Sequence, residues 1–309
     1  MSGGLHPQVQ AIMRAAATAD GEPGPPDLEA ERAAYLRTAL ELGGAVEPVA
    51  RVEDVVVPRA DGGRVRARAY WPSVPAPALG TLVWLHGGGW YLGDVDSFDR
   101  VTRQLANASG ALCLSVDYRL APEHPYPAAV QDARAAVAWA ADAGAAQLGT
   151  DGARVVVGGD SAGGNLAAVA ARHARDAVRA QLLVYPALDA AMAGDSHREF
   201  ADGPVLAAAD MERCWRLYLA GADRSDPDAS PLAASDLAGL PPAYVAVAGH
   251  DVLRDDGVRY AEALRAGGVP VELERYDDMV HSFLRWGGAA DRARELIAWL
   301  GGAARAALA

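Results

Sequence analysis

A serine between an apolar run and a helical stretch is the first candidate for chemistry. Residues 154–164 read Arg-Val-Val-Val-Gly-Gly-Asp-Ser-Ala-Gly-Gly. Small residues on either side of Ser161 would let a strand and a helix approach closely, because a Cβ there would collide with the neighbouring element. Such a turn raises the hydroxyl above the sheet edge and directs the amide of Ala162 at a bound acyl group. The context favours a nucleophile over a phosphate loop or a merely tight glycine turn.

A second glycine segment provides candidate hydrogen-bond donors. Residues 84–90 read Trp-Leu-His-Gly-Gly-Gly-Trp and directly follow a short apolar run. Consecutive glycines expose backbone amides to a substrate without obstruction by side chains. We expect the amides of Gly88 and Gly89 to join that of Ala162 in an oxyanion hole. His86 is expected to hold this loop in place, and the alternative is a flexible turn.

A carboxylate and a histidine follow the serine in the chain order that this chemistry uses. Asp251 closes an apolar run at 244–249, and His281 follows the last one at 271–275. An aspartate that orients a histidine allows the imidazole to take the proton of a serine hydroxyl. The sequence predicts Asp251 as the acid and His281 as the base, whereas Asp255 and Asp256 are expected to cap a helix.

Six other histidines compete with His281 for the role of base. None of them combines the expected chain order with a position after a predicted strand. His6, His173 and His197 are expected at the surface without a matching carboxylate, His124 lies in a proline-rich loop, and His250 is expected on the opposite side of its strand end from Asp251.

The elements that would position these groups alternate between apolar runs and helical stretches. This alternation predicts an α/β fold with a mostly parallel sheet that helices cover on both faces. A polar insertion from residue 189 to about 231, with one amphipathic helix at 208–219, interrupts the rhythm. The predicted strands are 81–85, 111–116, 154–157, 181–185, 243–248 and 271–275, and the predicted helices are 98–108, a long one ending near 146, 165–175, 256–266 and 292–300.

The first 70 residues have a different pattern. A helix is predicted at 7–18, followed by a break at 20–27 that is rich in proline and glycine. Asp27 is placed to cap a second helix that Gly43 and Gly44 would end near residue 42. Valine-rich runs then flank an Asp-Gly-Gly turn at 61–63, which predicts a β-hairpin.

Composition excludes several classes of protein. The chain has 309 residues, a net charge of −12 and 51% hydrophobic residues, and its 28 basic residues are all arginines. Without lysine there is no Schiff base and no lysine-containing phosphate loop. The acidic balance argues against a nucleic-acid partner. The remaining expectation is a globular α/β protein that acts on a small molecule.

The two cysteines and the N-terminal segment bear on compartment. Cys113 and Cys214 are far apart and form neither a metal motif nor a disulfide framework, so both are expected to be buried thiols. No signal peptide and no apolar run long enough for a membrane span is recognisable. We therefore predict a cytoplasmic protein without a membrane partner, a metal or a cofactor.

Five sequence blocks in order resemble the hormone-sensitive-lipase family of α/β hydrolases, bacterial carboxylesterases in particular. The resemblance implies an α/β-hydrolase catalytic domain at 46–309, covered by cap helices from 1–45 and from the insertion at about 189–230. It departs at Ser282, where the family usually has glycine, and at Val252, where proline is common. The blocks are 86–90, 117–127, 159–163, 251–257 and 281–283.

The same resemblance implies a set of further contacts. Arg119 and Glu123 would pair with each other in a structural loop behind the site, and family members are often homodimers. A cap over the site would place several side chains near the substrate. The candidates for the pocket wall are Trp90, Tyr91, Tyr185, Phe200, Leu206, Trp215 and Tyr218.

The function predicted from these residues is hydrolysis of small-molecule esters by a serine carboxylesterase, with short-to-medium acyl chains implied by the resemblance. An amidase, formamidase or natural-product deacetylase would use the same triad and stays open as an alternative, because the cap reads the leaving group. A non-catalytic receptor on this scaffold is disfavoured, because Ser161, Asp251 and His281 are all present. An interfacial lipase is disfavoured by the lack of a basic amphipathic segment.

Overall fold

The computed structural model of the protein describes residues 4–19 and 27–309. Eight strands in that part of the chain form one sheet. They are β1 Arg51–Pro58, β2 Arg64–Trp71, β3 Thr81–Leu85, β4 Leu112–Asp117, β5 Val155–Asp160, β6 Val178–Val184, β7 Ala243–His250 and β8 Val271–Val280. Their spatial order is β1-β2-β4-β3-β5-β6-β7-β8. β2 pairs antiparallel with β1 and with β4, and all other pairs are parallel.

Ten α-helices cover the sheet or lie over its edge within the described ranges. Two short 3₁₀-helices, Pro231–Ala233 and Phe283–Arg285, add to them. The α-helices are α1 Pro7–Ala19, α2 Leu28–Leu42, α3 Asp99–Ser109, α4 Ala128–Ala141, α5 Ala143–Leu148, α6 Ala162–His173, α7 Ser196–Glu199, α8 Ala208–Leu219, α9 Arg254–Ala266 and α10 Asp291–Leu308.

The central strands are buried on both faces, which explains why they read as continuous apolar runs. All five residues of β3 are inaccessible to solvent, and alternate residues enter different cores. Val83 and Leu85 pack in the core under α4, α6 and α9. Leu82 and Trp84 pack in the core on the other face, under α3 and α10. The predicted sheet with helices on both faces is confirmed.

The N-terminal segment folds as its capping residues indicate. The Asp27 side chain accepts a hydrogen bond from the amide of Glu29 at 3.1 Å and so caps α2, which ends at Gly43. The predicted hairpin is confirmed, since β1 and β2 pair over their whole length around the turn at 61–63. Most of the predicted break at 20–27, and residues 1–3 of the predicted cap segment, lie outside the described residues.

Three elements differ in length from their predictions. The helix predicted to end near 146 is divided at Asp142 into α4 and α5. β8 runs five residues beyond the predicted end at 275 and leads directly to His281, although charged residues occupy much of it. α10 continues past Gly301 and Gly302 to Leu308. A double glycine usually weakens a helix, and the close packing of Gly301 explains its presence here.

Gly301 allows α10 to approach α3. A Cβ at this position would overlap with the side chain of Ala108 and lie 2.7 Å from the Ala108 carbonyl carbon. Its neighbour Gly302 faces open space, with no atom within 4 Å of the corresponding Cβ position. The two glycines are adjacent in one helix and differ only in what they face.

This pair gives a matched test of the packing. We expect Gly301→Ala to lower the free energy of unfolding by 1 kcal/mol or more, because α10 must move away from α3 (about 1–3 kcal/mol for overpacking). Gly302→Ala should raise it by about 0.5–1 kcal/mol, because alanine loses less backbone entropy in a helix. Urea unfolding of both variants measures the difference, and equal effects would contradict the assigned packing.

No helix in residues 4–19 and 27–309 combines the length and apolar character that a membrane crossing requires.

Candidate active site

Three parallel strands bring the predicted acid, base and nucleophile to one edge of the sheet. Ser161 lies between β5 and α6, Asp251 directly follows β7, and His281 directly follows β8. β5 is separated from β7 only by β6, and β8 is the neighbour of β7. Because the carboxyl ends of parallel strands meet at one edge, residues separated by up to 120 positions converge there.

The structure places these three side chains in a hydrogen-bonded series. His281 Nε2 lies 2.9 Å from Ser161 Oγ, and His281 Nδ1 lies 2.7 Å from Asp251 Oδ2. The Leu253 amide donates to Asp251 Oδ1 at 2.9 Å, which fixes the carboxylate on its other oxygen. The residues are buried, with 6% of Ser161, 1% of Asp251 and 5% of His281 exposed. This is the geometry of a nucleophile, a base and a group that orients the base.

Ser161 has a strained backbone conformation, which the small size of its neighbours permits. Its φ of 55° and ψ of −119° lie in a region that residues other than glycine rarely adopt. A Cβ on Gly163 would overlap with the carbonyl oxygen of Leu85, and one on Gly159 would overlap with the backbone of Gly163. The glycines two positions before and after the serine therefore permit the turn that lifts its hydroxyl out of the sheet.

The glycine loop after β3 lies beside the serine. Gly88 has a φ of 124° and Gly89 a φ of 58°, so a residue with a side chain would be strained at either position. Among the described residues, no protein acceptor takes a hydrogen bond from the amides of Gly88, Gly89 or Ala162. Gly88 and Gly89 border the same cavity as Ser161 and His281. These amides are available to an oxygen atom of a ligand.

His86 supports the loop from below. Its ring stacks on Tyr118 with centroids 4.2 Å apart, and its Nδ1 lies 2.9 Å from the Gly87 carbonyl oxygen. The Tyr118 hydroxyl donates to the His86 carbonyl oxygen at 2.7 Å. Burial lowers the pKa of His86 to about 4, so its ring is neutral at pH 7. The contacts agree with the supporting role expected of His86.

Asp160, next to the nucleophile, connects the serine turn with the glycine loop. The amide of Gly87 donates to Asp160 Oδ1 at 3.0 Å, and Asp160 Oδ2 has no partner in the described structure. Burial raises the pKa of Asp160 to about 7, although the charges of Arg285 and His281 act in the opposite direction. Sequence reasoning did not assign this residue a role, because its importance comes from a contact across 73 residues.

A cavity of about 310 Å³ opens above the serine. Its floor is formed by the serine turn, the glycine loop and the segment after β8. Its other walls come from α2 and from the insertion between β6 and β7. The residues around it are Tyr35, Thr38, Gly88, Gly89, Tyr91, Leu92, Ser161, Val205, Leu206, Asp210, Met211, Cys214, His281, Ser282, Arg285 and Trp286.

Comparison with known proteins identifies the family. A family model described as alpha/beta hydrolase fold matches residues 82–285, well over half of the chain. The chain belongs to this family. The predicted α/β-hydrolase fold and the predicted family are thereby confirmed.

Similar proteins of this family are named as esterases. Esterase LipI of Mycobacterium tuberculosis is 45% identical over 260 residues, which cover 81% of this chain and 80% of that protein. Carboxylesterase NlhH of the same organism is 43% identical over 263 residues, covering 82% and 81%. The solved structure of a hyperthermophilic esterase from Pyrobaculum calidifontis has a TM-score of 0.93 and 39% identity, covering 99% of this chain and 100% of that one.

Only part of the predicted pocket wall borders the cavity of this α/β hydrolase. Tyr91 and Leu206 do so. Five aromatic residues of the prediction do not, because they pack against other rings. Trp90, Trp215 and Tyr218 form a fully buried cluster in which Trp90 stacks on Tyr218 at 4.3 Å, Tyr185 lies buried behind His281 at 4.7 Å, and Phe200 packs beside His250 at 5.7 Å.

The expectation of surface positions is wrong for His197 and correct for His173, but both histidines have a carboxylate partner. His197 is buried, and its Nε2 lies 3.0 Å from Asp256 Oδ1. His173 is exposed, and its Nε2 lies 2.7 Å from Asp228 Oδ1. Both carboxylates are more than 50 residues away in sequence, so neither partnership has a local signal.

Helix capping is also the wrong role for Asp255 and Asp256. α9 begins at Arg254 and has no side-chain cap. Asp256 Oδ2 instead accepts hydrogen bonds from the amides of Leu188 and Asp189, at 2.9 and 3.0 Å. Asp255 accepts one from the amide of Ser196 at 2.8 Å. Both carboxylates therefore attach the insertion to the strand end that carries Asp251.

The implied pairing of Arg119 with Glu123 is wrong. Arg119 pairs with Asp132, with Nη2 and Oδ1 2.8 Å apart. Glu123 pairs with Arg32 of α2 at 2.7 Å. A second ion pair joins α2 to the insertion, with Arg213 and Glu31 2.8 Å apart. These contacts connect α2 to both the loop at 117–127 and α8.

The two departures from the family pattern have different consequences. Ser282 has a φ of 65°, in the left-handed region that favours glycine, so serine is strained where the family usually has glycine. Val252 is fully buried, and its carbonyl oxygen accepts a hydrogen bond from the Ser196 hydroxyl at 2.6 Å. Neither side chain takes part in the hydrogen-bonded series of Ser161, His281 and Asp251.

Other features of the described residues take no part in the hydrogen-bonded series. A larger groove of about 660 Å³ lies between the β1–β2 turn, α4 and α6, and contains none of the residues of the hydrogen-bonded series. Cys113 and Cys214 are both buried free thiols, as expected. In residues 4–19 and 27–309, no group of three or more histidine, cysteine or acidic side chains is placed to hold a metal ion.

Asp160 makes stability depend on pH in a direction that can be calculated. Its pKa is about 7 in the folded protein and about 3.9 in an unfolded chain. Between these values the folded protein keeps a proton that the unfolded chain has lost, so rising pH lowers the free energy of unfolding. Above about pH 7 this contribution becomes constant.

Asp160→Asn removes this titration and keeps an oxygen that can accept from Gly87. We expect the free energy of unfolding of the variant, relative to the wild type, to rise by about 1 kcal/mol per pH unit between pH 4.5 and 7. Urea unfolding at half-unit intervals measures the difference. A difference that stays constant over this range would show that Asp160 is ionised in the folded protein throughout.

Proposed function

We propose that this α/β hydrolase is a serine carboxylesterase that acts on small esters with short-to-medium acyl chains. The observation that carries the proposal is the hydrogen-bonded series from Ser161 through His281 to Asp251 at the floor of a cavity. The names of the similar proteins, which are esterases and carboxylic ester hydrolases, support the same reaction.

In the first half of the proposed reaction, Ser161 Oγ attacks the ester carbonyl carbon. His281 Nε2 lies 2.9 Å from this oxygen and takes its proton as the bond to carbon forms. The proton then passes to the leaving alcohol, and an acyl-enzyme remains on Ser161. Asp251 holds Nδ1 of the imidazole at 2.7 Å, which fixes the tautomer and stabilises the imidazolium ion.

In the second half, water attacks the acyl-enzyme. His281 takes the proton of the water and returns a proton to Ser161 Oγ when the acid leaves. The exposed fraction of His281 is only 5%, so the imidazole is shielded from bulk solvent and meets water through the cavity. Apart from the ester and water, every group that takes part in the proposed reaction belongs to the chain.

The amides of Gly88, Gly89 and Ala162 are the proposed oxyanion hole. They have no acceptor among the described residues, and the amide of Ala162 begins α6, where the helix dipole adds positive potential. Negative charge develops on the carbonyl oxygen only as the tetrahedral state forms. Donors held in place beforehand therefore stabilise the transition state more than the bound ester, by about 2.7–4 kcal/mol for each donor.

The size of the cavity supports small substrates. Its volume of about 310 Å³ is at the lower end of the range for ligand pockets, about 300–1,000 Å³. Met211, Leu206 and Val205 provide an apolar wall on the side of the insertion. Such a wall fits a short aliphatic chain.

The proposed cap consists of residues 1–45 and about 189–230, over a catalytic domain at 46–309. Its support is that α2 contributes Tyr35 and Thr38 to the cavity, and the insertion contributes five residues from Val205 to Cys214. The ion pair between Glu31 and Arg213 joins the two parts. A cytoplasmic location and a homodimer stay predictions.

Replacement of Ser161 by alanine tests the nucleophile. We expect kcat for p-nitrophenyl acetate and p-nitrophenyl butyrate to fall by at least about 10⁴-fold, because the triad acts as a unit. Covalent labelling by a fluorophosphonate probe should disappear in the same variant. Undiminished turnover would show that another residue attacks the ester.

Ser282→Gly is the matched control for this test. It removes the other serine hydroxyl that borders the cavity and relieves the strain of a φ of 65°. We expect it to be labelled by the probe as the wild type is, and to be more stable to unfolding by up to about 1 kcal/mol. A loss of labelling in this control would mean that the Ser161 result reports distortion of the site.

A matched pair of substrates tests the bond that is cleaved. We expect p-nitrophenyl butyrate to be hydrolysed with a kcat/KM at least about 10³-fold above that of butyryl p-nitroanilide. Equal or greater hydrolysis of the anilide would favour an amidase with the same triad. Absence of both reactions and of probe labelling would favour a receptor.

A further inference from the structure

Arg285 is a buried arginine beside the cavity that the proposed reaction does not use. It ends the 3₁₀-helix Phe283–Arg285, four residues after His281, and only 5% of it is exposed. It borders the cavity together with Ser161 and His281. Its position raises the question of which negative charge balances the guanidinium group.

The protein provides Arg285 with few partners. Arg285 Nη2 donates to the backbone carbonyl oxygen of Tyr35 at 2.6 Å, whereas the buried Nε has no partner. Among the described residues, no carboxylate forms an ion pair with it within 4.0 Å. The guanidinium lies 3.6 Å from the ring centre of Tyr35 and 5.5 Å from that of Phe98. These rings hold its orientation and leave its charge without a carboxylate in direct contact.

Such an arrangement of Arg285 costs free energy within the protein alone. A guanidinium group stays protonated at all ordinary pH values, and a buried charge without an ion-pair partner carries a large desolvation cost. The cation–π contacts with Tyr35 and Phe98 offset part of that cost. An anionic group of a ligand in the cavity would offset the rest through a charge-assisted hydrogen bond from the guanidinium group.

The acidic groups near the cavity do not take this role. Asp210 borders the cavity but is exposed, and its Oδ2 accepts from the amide of Ala207 at 3.1 Å. Asp160 lies within the electrostatic reach of Arg285, and its Oδ2 has no hydrogen-bond partner, but neither of its oxygens lies within 4.0 Å of an Arg285 nitrogen. A carboxylate in direct contact with Arg285 would therefore come from a ligand in the cavity.

We propose that Arg285 is a specificity-determining residue for esters that carry a carboxylate, either at the far end of a short acyl chain or on the alcohol. Ser161 and Arg285 border one cavity of about 310 Å³, so a carboxylate within a few bonds of the scissile carbonyl reaches the guanidinium while the carbonyl carbon is at Ser161. This inference rests on the proposed esterase function and specifies its substrate class.

Two substrate pairs test the two positions of the carboxylate. The acyl pair is mono-p-nitrophenyl glutarate and p-nitrophenyl pentanoate, in which a carboxylate replaces a methyl group. The alcohol pair is O-acetyl lactate and isopropyl acetate, and their hydrolysis is measured by the release of acid. The spontaneous reaction, measured with Ser161→Ala, is subtracted. The readout is the ratio of kcat/KM for the anionic ester to that for the neutral one, which cancels any general loss of activity.

We expect the wild-type ratio to be at least one in one of the pairs, and Arg285→Gln to lower that ratio by about 10–100-fold, as expected for loss of a charge-assisted hydrogen bond. Arg285→Lys should give an intermediate ratio. A decrease of less than tenfold in both pairs would overturn the inference and leave Arg285 as a structural link to α2. If neither variant folds, the wild-type ratios decide, and ratios below one in both pairs overturn it.

Arg213→Gln is the control for a general effect of charge. Arg213 is also near the cavity, since it donates to the Tyr91 hydroxyl at 2.9 Å, but it is paired with Glu31. We expect its ratio to stay within threefold of the wild type. An equal decrease in both variants would mean that the net charge of the region, and not contact with Arg285, selects the substrate.

Binding of glutarate to the Ser161→Ala variant separates this inference from the proposed function. Calorimetry should show binding that the additional change Arg285→Gln weakens at least tenfold. Binding of glutarate without hydrolysis of neutral esters by the wild type would overturn the esterase proposal alone. Hydrolysis of neutral esters without such binding would overturn the role of Arg285 alone.

Discussion

The close approach of the serine turn to the glycine loop is the constraint on which the rest of the site depends. A Cβ on Gly163 would overlap with the Leu85 carbonyl oxygen, and one on Gly87 would overlap with the carboxylate of Asp160. The loop and the turn can therefore meet only where both are free of side chains. Their contact is completed by the hydrogen bond from Gly87 to Asp160. This contact places the amides of Gly88 and Gly89 beside Ser161. It therefore holds the glycine loop and the serine turn in fixed relative positions before any substrate binds.

Much of the fold and of the site could be predicted because the signals are local. Strands β3 to β7 are short apolar runs, and β8 begins with another and continues into a charged segment. A parallel sheet follows from the alternation of these runs with helices. Parallel strands also bring their carboxyl ends together, so the order serine, aspartate, histidine was enough to place Asp251 and His281 near Ser161. The backbone at positions 88 and 89 has positive φ angles, which glycine adopts readily, and the sequence has glycine at both positions.

The errors concern contacts that join distant segments. Asp255 and Asp256 stand at the start of a helix, and nothing local indicates that they bind the backbone at 188–196. Arg119 and Glu123 are four residues apart, yet their partners are Asp132 and Arg32. Five of the six predicted aromatic residues were misplaced for the same reason, since periodicity shows that Trp90 or Trp215 is buried but not whether it meets other rings or a cavity.

The proposed cap explains why substrate choice is harder to predict than the reaction. The groups proposed to act on the ester carbonyl come from the sheet edge, where topology determines their positions. The walls of the cavity come from α2 and the insertion, which meet through partly exposed ion pairs such as Arg213–Glu31. Such pairs contribute only about 0–1 kcal/mol each, so the sequence can vary there without loss of the fold. Arg285 belongs to both parts: it follows His281 in the chain and donates to Tyr35 of α2. This buried arginine therefore links two parts of the site. The proposed reacting groups have positions set by the fold, whereas the cavity wall has residues that can vary from one chain to another.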